Sequence, residues 1–304
     1  MSEGPQPLVT VVLPFRDAEA TLAAAIRSIL LQTDRRWTLA LVDDGSSDGS
    51  LAIARRFVSE RVSLHSDGAQ LGISRRLNAA ISEVATPYTA RMDADDIAFP
   101  NRLAVQLRLI ESEPALDLVA SPVLVFQTSG SLAGTIRTLR KHEEICATPW
   151  RGFLFPHPTW LGKTSWFRNH TYDERDDGAE DQALLYRAHA ASRFATTADV
   201  LLAYREDGRS FARQLHRRSR FWGAVVRDGT ARGAWSDALM VSMLQPARIV
   251  GDALNIALGV KAARHRLEPV GDQLRADWEE LRASTSHSSE PPGHPRVDGP
   301  EPFL

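Results

Sequence analysis

Strand and helix patterns that alternate through the first half of the chain predict an α/β fold, a mostly parallel sheet with helices on both faces. Two features carry that expectation. Short β-branched apolar runs recur, and between them lie stretches with apolar residues every three or four positions. The placing of acids is a third: Asp43-Asp44-Gly45-Ser46-Ser47-Asp48-Gly49 and Arg91-Met92-Asp93-Ala94-Asp95-Asp96-Ile97 both fall where a strand should end. Ligands of such sheets sit at strand carboxyl ends.

Leu8–Leu13 reads as the first buried strand, closed by Pro14. Ala18–Leu31 is a helix with Leu22, Ile26, Ile29 and Leu30 on one stripe. Trp37–Val42 is the second strand, Ser50–Val58 a short helix and Arg61–His65 the third strand. Gly72–Val84 is helical, with Ile73, Leu77 and Ile81 on one face, and Pro87–Met92 is the strand that delivers the second acidic run. Pro100 suits the first turn of a helix whose Leu103, Leu107 and Ile110 face inward. Beyond residue 115 the pattern loosens. Leu118–Phe126 is strand-like, Thr128–Gly134 turn-rich, Phe153–Trp160 aromatic, Ala179–Ala191 helical and Val200–Tyr204 a closing strand.

From Ser210 the chain turns helical and basic, with eight arginines against three acids between Arg205 and Arg232. Arg209, Arg213, Arg217 and Arg220 share one helical stripe, suited to an anionic ligand or an acidic membrane surface, or simply to water. A helix over Asp237–Ala263 follows, with a bend expected at Pro246. Ser284–Leu304 lacks periodicity and reads as a disordered tail. The main domain is therefore expected over residues 1–209, with halves at about 8–115 and 116–209. A basic, amphipathic helical extension covers 210–283 and the tail 284–304.

At 304 residues the chain can bury a full core. Its net charge of −2 gives no field that would mark a nucleic-acid binder. Cys146 stands alone and fits a reducing compartment. The opening residues show no basic-then-apolar signal, and no apolar run reaches the ~20 residues of a bilayer span. The expected setting is cytoplasmic, with any membrane contact peripheral, at the inner face of the plasma membrane.

Asp93, Asp95 and Asp96 repel one another, and a fold gains nothing from crowding them. Hard divalent cations such as Mn²⁺ or Mg²⁺ take oxygen ligands and leave positions for substrate phosphates. A solvated acidic loop is the plainer reading. The wider pattern decides between them. Val9-Thr10-Val11-Val12-Leu13-Pro14, Ser28-Ile29-Leu30-Leu31-Gln32-Thr33, Leu41-Val42-Asp43-Asp44-Gly45-Ser46 and Leu71-Gly72-Ile73 precede the acidic run. Pro100, Arg102-Leu103, His157-Pro158-Thr159 and Gly178-Ala179-Glu180-Asp181 follow it. In this order, over roughly residues 8 to 205, the chain resembles the inverting GT-A glycosyltransferases of family 2.

The resemblance implies a GT-A fold (Rossmann-like, mostly parallel, helices on both faces) plus the C-terminal helical extension. It implies transfer of a sugar from a UDP-, dTDP- or GDP-sugar to a carbohydrate, lipid-linked or other hydroxyl acceptor, in cell-surface polysaccharide or glycolipid synthesis. Asp44 matches the contact to the donor's base, flanked by backbone at Pro14 and Phe15, with Asp17 also toward the nucleoside. Asp95 matches the ligand of Mn²⁺ or Mg²⁺, and Asp93 the ribose or a metal-bound water. Asp96 is either a support beside the metal or a cap for the Pro100 helix. Asp181 matches the catalytic base, Glu180 its neighbour on the acceptor side, and His157 the acceptor side or a packed aromatic turn.

One departure stands out. Relatives often carry a histidine two positions after a Tyr-Arg pair, where this chain has Asp207. Asp207 would then serve as a ligand, or phosphate contact would pass to Arg205 or Arg209. Two other readings stay open. A nucleotidyltransferase on a similar sheet needs a Gly-rich loop after the first strand, and Pro14-Phe15-Arg16-Asp17-Ala18-Glu19 has no glycine. A non-catalytic scaffold is the other, kept alive by the missing histidine.

Overall fold

Val9–Phe15 is buried along its whole length and forms the strand on which the main sheet is built. Its side chains alternate between two faces, as the two-residue period of a strand requires. Val9, Val11, Leu13 and Phe15 enter one core, and Val12 enters the other. The computed structural model describes residues 6–206, 211–257 and 267–286.

In chain order the first half contains β1 (Val9–Phe15), α1 (Leu22–Leu30), β2 (Trp37–Asp43), α2 (Ser50–Arg55), β3 (Val62–His65) and α3 (Ile73–Glu83). It continues with β4 (Tyr88–Arg91), β5 (Ile97–Ala98) and α4 (Arg102–Ser112). Then come β6 (Leu118–Ala120), β7 (Val123–Phe126), β8 (Leu132–Ile136), α5 (His142–Ile145), β9 (Leu161–Lys163) and α6 (Thr164–Asn169). The remainder is α7 (Glu180–Ala188), β10 (Phe194–Thr196), β11 (Leu202–Arg205), α8 (Phe211–Ala231), α9 (Trp235–Ala257) and α10 (Asp272–Ser286).

Seven strands form the main sheet in the order β10-β6-β9-β4-β1-β2-β3. β9 alone runs antiparallel, between β4 and β6. α1 and α4 cover one face through Leu22, Ile26, Ile29, Leu103, Leu107 and Ile110. α3, α6, α7 and α8 cover the other through Leu77, Ile81, Trp166, Phe167, Leu184, Leu185, Phe221 and Val225. The expected mostly parallel sheet between helical layers is what the chain forms. A second sheet, β5-β11-β7-β8, lies beside it.

The second sheet is where the structure differs from the sequence reading. Leu118–Phe126 is two strands in two sheets, not one. Pro122 lacks the N–H a ladder needs, so the chain leaves the main sheet at Ala120 and joins the second at Val123. β11 does not close the main sheet but sits between β5 and β7. Thr128–Gly134 is a hairpin turn that has already entered β8 by Leu132. β5, β9 and β10 span two or three residues each, too few for a period to register.

The C-terminal helices pack onto the body. Trp222 Nε1 on α8 donates to Ser242 Oγ on α9 at 3.0 Å. α10 returns to the second sheet, where fully buried Trp278 meets Phe126 at 4.6 Å between ring centroids. Arg27 Nη1 on α1 donates to the Thr285 carbonyl at 3.1 Å. Residues 210–283, set apart in the sequence as an extension, thus contribute Phe221, Val225, Val241, Trp278 and Leu281 to two cores. α10 runs past Ser284 to Ser286, and the rest of the expected tail lies outside the described residues.

Removing the Trp278 ring leaves a cavity between α10 and the second sheet. Trp278→Ala is expected to lower the unfolding free energy by about 3–5 kcal/mol, and Trp278→Phe by clearly less, in urea titrations followed by circular dichroism.

Candidate active site

β1, β2 and β4 are neighbours in the sheet and point the same way, so their carboxyl ends meet at one edge. β4 delivers the acids. It ends at Arg91, passes through buried Met92 and emerges at Asp93. Ligand oxygens of Asp93, Asp95 and Asp96 all lie within 4.8 Å of one another. Asp96 is fully buried, and its Oδ1 accepts the Arg205 backbone N–H at 2.9 Å. Its Oδ2 has no hydrogen-bond partner among the described residues.

Three guanidinium groups surround this cluster. Arg91, only 5% exposed, forms an ion pair with Asp93. Arg102 is buried on α4 and donates from Nη2 to the Arg91 carbonyl at 2.7 Å. Arg205 lies over the Phe126 ring and donates from Nε to the Asp95 carbonyl at 2.9 Å. The carboxylates still crowd. Asp95 is open to solvent on one side, yet the protein packed around its carboxyl, and then Asp93 beside it, push its pKa up to about 6. Burial, and then the charges of Asp95 and Asp93, push Asp96 well above the usual range. An all-oxygen donor set with an unpartnered buried oxygen suits a hard divalent cation, whose charge would reverse both shifts. Asp96 does not cap the following helix: the N-cap of α4 is Asn101, with no side-chain cap bond.

The loop after β2 is held by its own side chains. Asp43 closes an Asx turn by accepting the Ser46 N–H at 3.0 Å, and its other oxygen accepts from Ser66 Oγ at 2.8 Å. Gly45 has φ +72°, and a Cβ there would lie 2.9 Å from the Ala69 backbone. Asp44 Oδ1 accepts from the Leu71 N–H at 2.7 Å, the Gly72 N–H at 3.1 Å and Arg76 Nε at 3.0 Å. Among the described residues its Oδ2 receives only the Gly72 N–H, at 3.2 Å. The Asp44 N–H donates to the Phe15 carbonyl at 2.9 Å, while the Phe15 ring is core. Pro14 and Phe15 therefore meet this edge through backbone. Asp17, at φ 48°, accepts from the Ser47 N–H at 2.8 Å and so ties the two loops together. That bond holds its carboxylate below the ordinary range.

Glu180 and Asp181 open α7. Glu180 Oε2 accepts the Gly178 N–H at 2.8 Å. Its Oε1 lies 3.9 Å from Nδ1 of His157. Asp181 is 8% exposed and accepts from Gln182 Nε2 at 3.1 Å. His157 is buried, shares a hydrogen bond with Tyr172 Oη at 2.8 Å and meets Trp160 edge-on. Burial, then Arg91, push its pKa well below the ordinary value. The packed aromatic turn is the half of its expected role that the geometry displays. Burial raises the Tyr172 hydroxyl pKa, and Arg91, Glu180, Asp181 and Asp93 all act on it electrostatically. The acid cluster and the acid pair thus share one electrostatic neighbourhood.

The sequence assigns roles to carboxylates, to His157, to the backbone of Pro14 and Phe15 and, as alternatives for phosphate contact, to Arg205 and Arg209. It gives no role to the arginines that balance the acids: Arg91 and Arg102 fall inside the motifs, and Arg76 lies outside them. Their signal was a charged residue inside an otherwise apolar strand or at an inward helical position. Asp207 and Arg209 lie outside the described residues.

Sheet, helices and edge together define a GT-A fold. Of the solved structures that share it, a mannosyltransferase of Pyrobaculum calidifontis, in complex with GDP-Man and Mn²⁺, superposes with a TM-score of 0.59 at 18% identity. That match covers 93% of this chain and 81% of the other. Staphylococcus aureus TarS 1-349 in complex with UDP-GlcNAc gives 0.58 at 13% identity, covering 91% and 80%. Residues 10–171, more than half of the chain, match the model of Glycosyl transferase family 2, and the chain belongs to that family. EpsE of Bacillus subtilis is 33% identical over 171 residues, 55% of this chain and 60% of EpsE. An Escherichia coli UDP-Glc:alpha-D-GlcNAc-diphosphoundecaprenol beta-1,3-glucosyltransferase, WfgD, is 32% identical over 103 residues, 34% of this chain and 41% of WfgD. The chain spans less than two thirds of each of these two relatives.

Burial, then the charge of Asp181, push the Glu180 carboxyl from its ordinary 4.5 up to about 7. A raised folded pKa favours the folded state only while the group keeps its proton, so this contribution is present below about 4.5 and lost as pH rises through 7. Glu180→Gln is therefore expected to be more stable than the parent protein by about 2–3 kcal/mol near pH 8, with no gain near pH 4. Thermal melts across that range check it.

Proposed function

We propose that this protein transfers a sugar from a nucleoside-diphosphate sugar to an acceptor hydroxyl, with inversion at the anomeric carbon. The observation that carries the reading is the pairing of two acidic groups at one edge. A crowded cluster follows β4, and a separate pair opens α7, bridged electrostatically by Arg91 and Tyr172. The nucleotide sugars bound by the Pyrobaculum enzyme and by TarS support a donor of that class here. Its base is that of UDP, GDP or dTDP.

In this reading residues 8–115 hold the donor and 116–209 the acceptor. The less engaged Oδ2 of Asp44 accepts an N–H of the base, beside the backbone of Pro14 and Phe15, while Asp17 fixes the loop over the nucleoside. Asp93, oriented by Arg91, meets the ribose. Asp95, with Asp96 in support, would hold Mn²⁺ or Mg²⁺, which when bound would supply positive charge against the charge that builds on the departing diphosphate. Asp181 takes the proton of the acceptor hydroxyl as its oxygen attacks opposite the leaving group. The sugar passes through an oxocarbenium-like transition state, as in glycoside hydrolysis. Glu180 shapes the approach by fixing the Gly178 turn, and His157 backs it. The setting is cytoplasmic, and the cell-surface polysaccharide or glycolipid acceptor that the family pattern implies is compatible with it.

The purified protein with Mn²⁺ is expected to gain thermal stability from UDP-, GDP- or dTDP-sugars of its own donor class, by about 2.7 kcal/mol at a hundredfold excess over Kd. Asp95→Asn is expected to abolish that Mn²⁺-dependent gain. Asp181→Asn should keep it and lower kcat for transfer by about 10²–10⁴-fold, with donor KM nearly unchanged. Turnover unchanged in Asp181→Asn, or consumption of nucleoside triphosphates in place of sugar nucleotides, would overturn the assignment.

A further inference from the structure

Nine large hydrophobic side chains stand exposed among the described residues, and six of them sit on α9: Trp235, Leu239, Met240, Met243, Val250 and Leu254. Steps of three, four and seven residues place these on one side of a helix. The other exposed positions of α9 are Ser236, Pro246 and Ala247. Ser236 is thus the one polar residue on that face among the described side chains. The face is not marginally exposed: Trp235 is 66% open to solvent and Met243 67%. At ~1.5 Å per residue, Trp235 to Leu254 makes an apolar strip about 28 Å long, a patch rather than scattered surface residues. The opposite side, Ala238, Val241 and Gln245, is buried.

The surroundings of the strip are basic. Arg232 precedes it, anchored by hydrogen bonds to the Arg187 and Tyr186 carbonyls at 3.0 Å each. Arg248 lies on α9 itself and donates to the carbonyl of exposed Arg151 at 3.4 Å. α8, packed along α9, also carries exposed Arg213, Arg217 and Arg220, of which Arg220 donates to the Arg175 carbonyl at 2.8 Å. Residues 211–257 carry seven arginines against three aspartates, in a chain whose net charge is −2. Of those aspartates, Asp237 accepts a hydrogen bond from Tyr186 Oη and Asp228 is paired with Arg227.

We propose that the exposed face of α9 docks on the surface of an anionic lipid bilayer, lying in the plane of the interface. Charge selects this occupant. A second copy seated on the same face would bring two arginine-rich helix pairs together, and like charges oppose that contact. Anionic headgroups gain from the same arginines, at about 1 kcal/mol each near the surface. An apolar strip with a tryptophan at one end and arginines on its flanks is the form of a helix that lies in an interface. No helix among the described residues is long and apolar enough to cross a membrane, so the contact is with the surface. The sugar transfer plays no part in this inference.

The test is flotation of the full chain with vesicles of phosphatidylcholine alone or mixed with phosphatidylglycerol. The parent protein is expected to float with the anionic vesicles and to be released by salt. Leu239→Glu combined with Met243→Glu alters two exposed positions, so melting should be unchanged while the bound fraction falls about ten-fold or more. Arg151→Gln, with the apolar strip intact, should weaken partitioning about five-fold. Absence of flotation, equal flotation with neutral vesicles, or undiminished binding by the folded double variant would each overturn the proposal. So would a parent dimer, seen by light scattering, that the double variant dissociates while vesicles go unbound: the face would then belong to a second copy.

Discussion

The Arg91–Asp93 pair is the interaction on which the candidate site depends. Arg91 ends β4, in the middle of the main sheet, and its guanidinium is almost wholly enclosed. A charge in that position is tolerable only beside an opposite one, and Asp93 supplies it. The backbone is fastened at this point: the Arg91 N–H donates to the Trp160 carbonyl at 2.9 Å and the Met92 N–H to the Val12 carbonyl at 3.2 Å. Three carboxylates within 4.8 Å of one another would otherwise repel the loop open. Arg91, Arg102 and Arg205 meet that repulsion from three elements, and none of them removes it. The pKa of Asp95 is still pushed up to about 6. A cation held at Asp95, as proposed above, would relieve that residual repulsion.

The sheet was legible because its central strands obey simple rules. β1, β2 and β4 are apolar, β-branched and buried on both faces, and the amphipathic helices between them leave little choice but a parallel sheet. The second sheet was hidden because it is made of short strands drawn from distant parts of the chain. β5 has two residues, and β11 joins it to β7 across more than seventy positions of sequence. Only Pro122 marked the switch between sheets, by breaking what otherwise looked like one strand. At the site, acids were easy to find since they crowd in sequence. Their counter-charges were not, since Arg76, Arg91 and Arg102 look like ordinary polar residues until the fold buries them. The His157–Tyr172–Glu180 arrangement joins three separate segments and had no local pattern to announce it.

The second sheet also explains why Asp96 is where it is. Its Oδ1 takes the Arg205 N–H, the last residue of β11, so the acidic loop after β4 is fastened to a strand of the other sheet. Arg205 fastens it again from Nε to the Asp95 carbonyl, with its guanidinium carbon 4.6 Å from the centroid of the Phe126 ring of β7. Phe126 rests in turn on Trp278 of α10. Only two residues, Phe126 and Arg205, thus separate the C-terminal helix from the acid cluster, and the small sheet acts as a backing plate for the loop.

A similar chain of contacts runs to the other acidic group. The turn Asp173–Gly178, which precedes α7, is clamped by α8. His216 Nε2 lies 3.2 Å from the Asp177 carbonyl, and Arg220 Nη1 donates to the Arg175 carbonyl at 2.8 Å. Beneath them the buried carboxylate of Asp176 is held by Arg187 at 2.9 Å and by Arg227 of α8 at 3.0 Å. A buried carboxylate with two guanidinium partners adds little net stability over an apolar core, but it fixes geometry, because loss of either partner leaves a charge stranded. Asp181 follows this turn directly. The helix that positions the proposed base is the same one that carries α9 along its flank, through Trp222 and Ser242. If α9 lies on a bilayer, then α8 sets both the height and the orientation of Asp181 above it. An acceptor presented at that surface would meet the base at a depth fixed by packing rather than by a flexible tether.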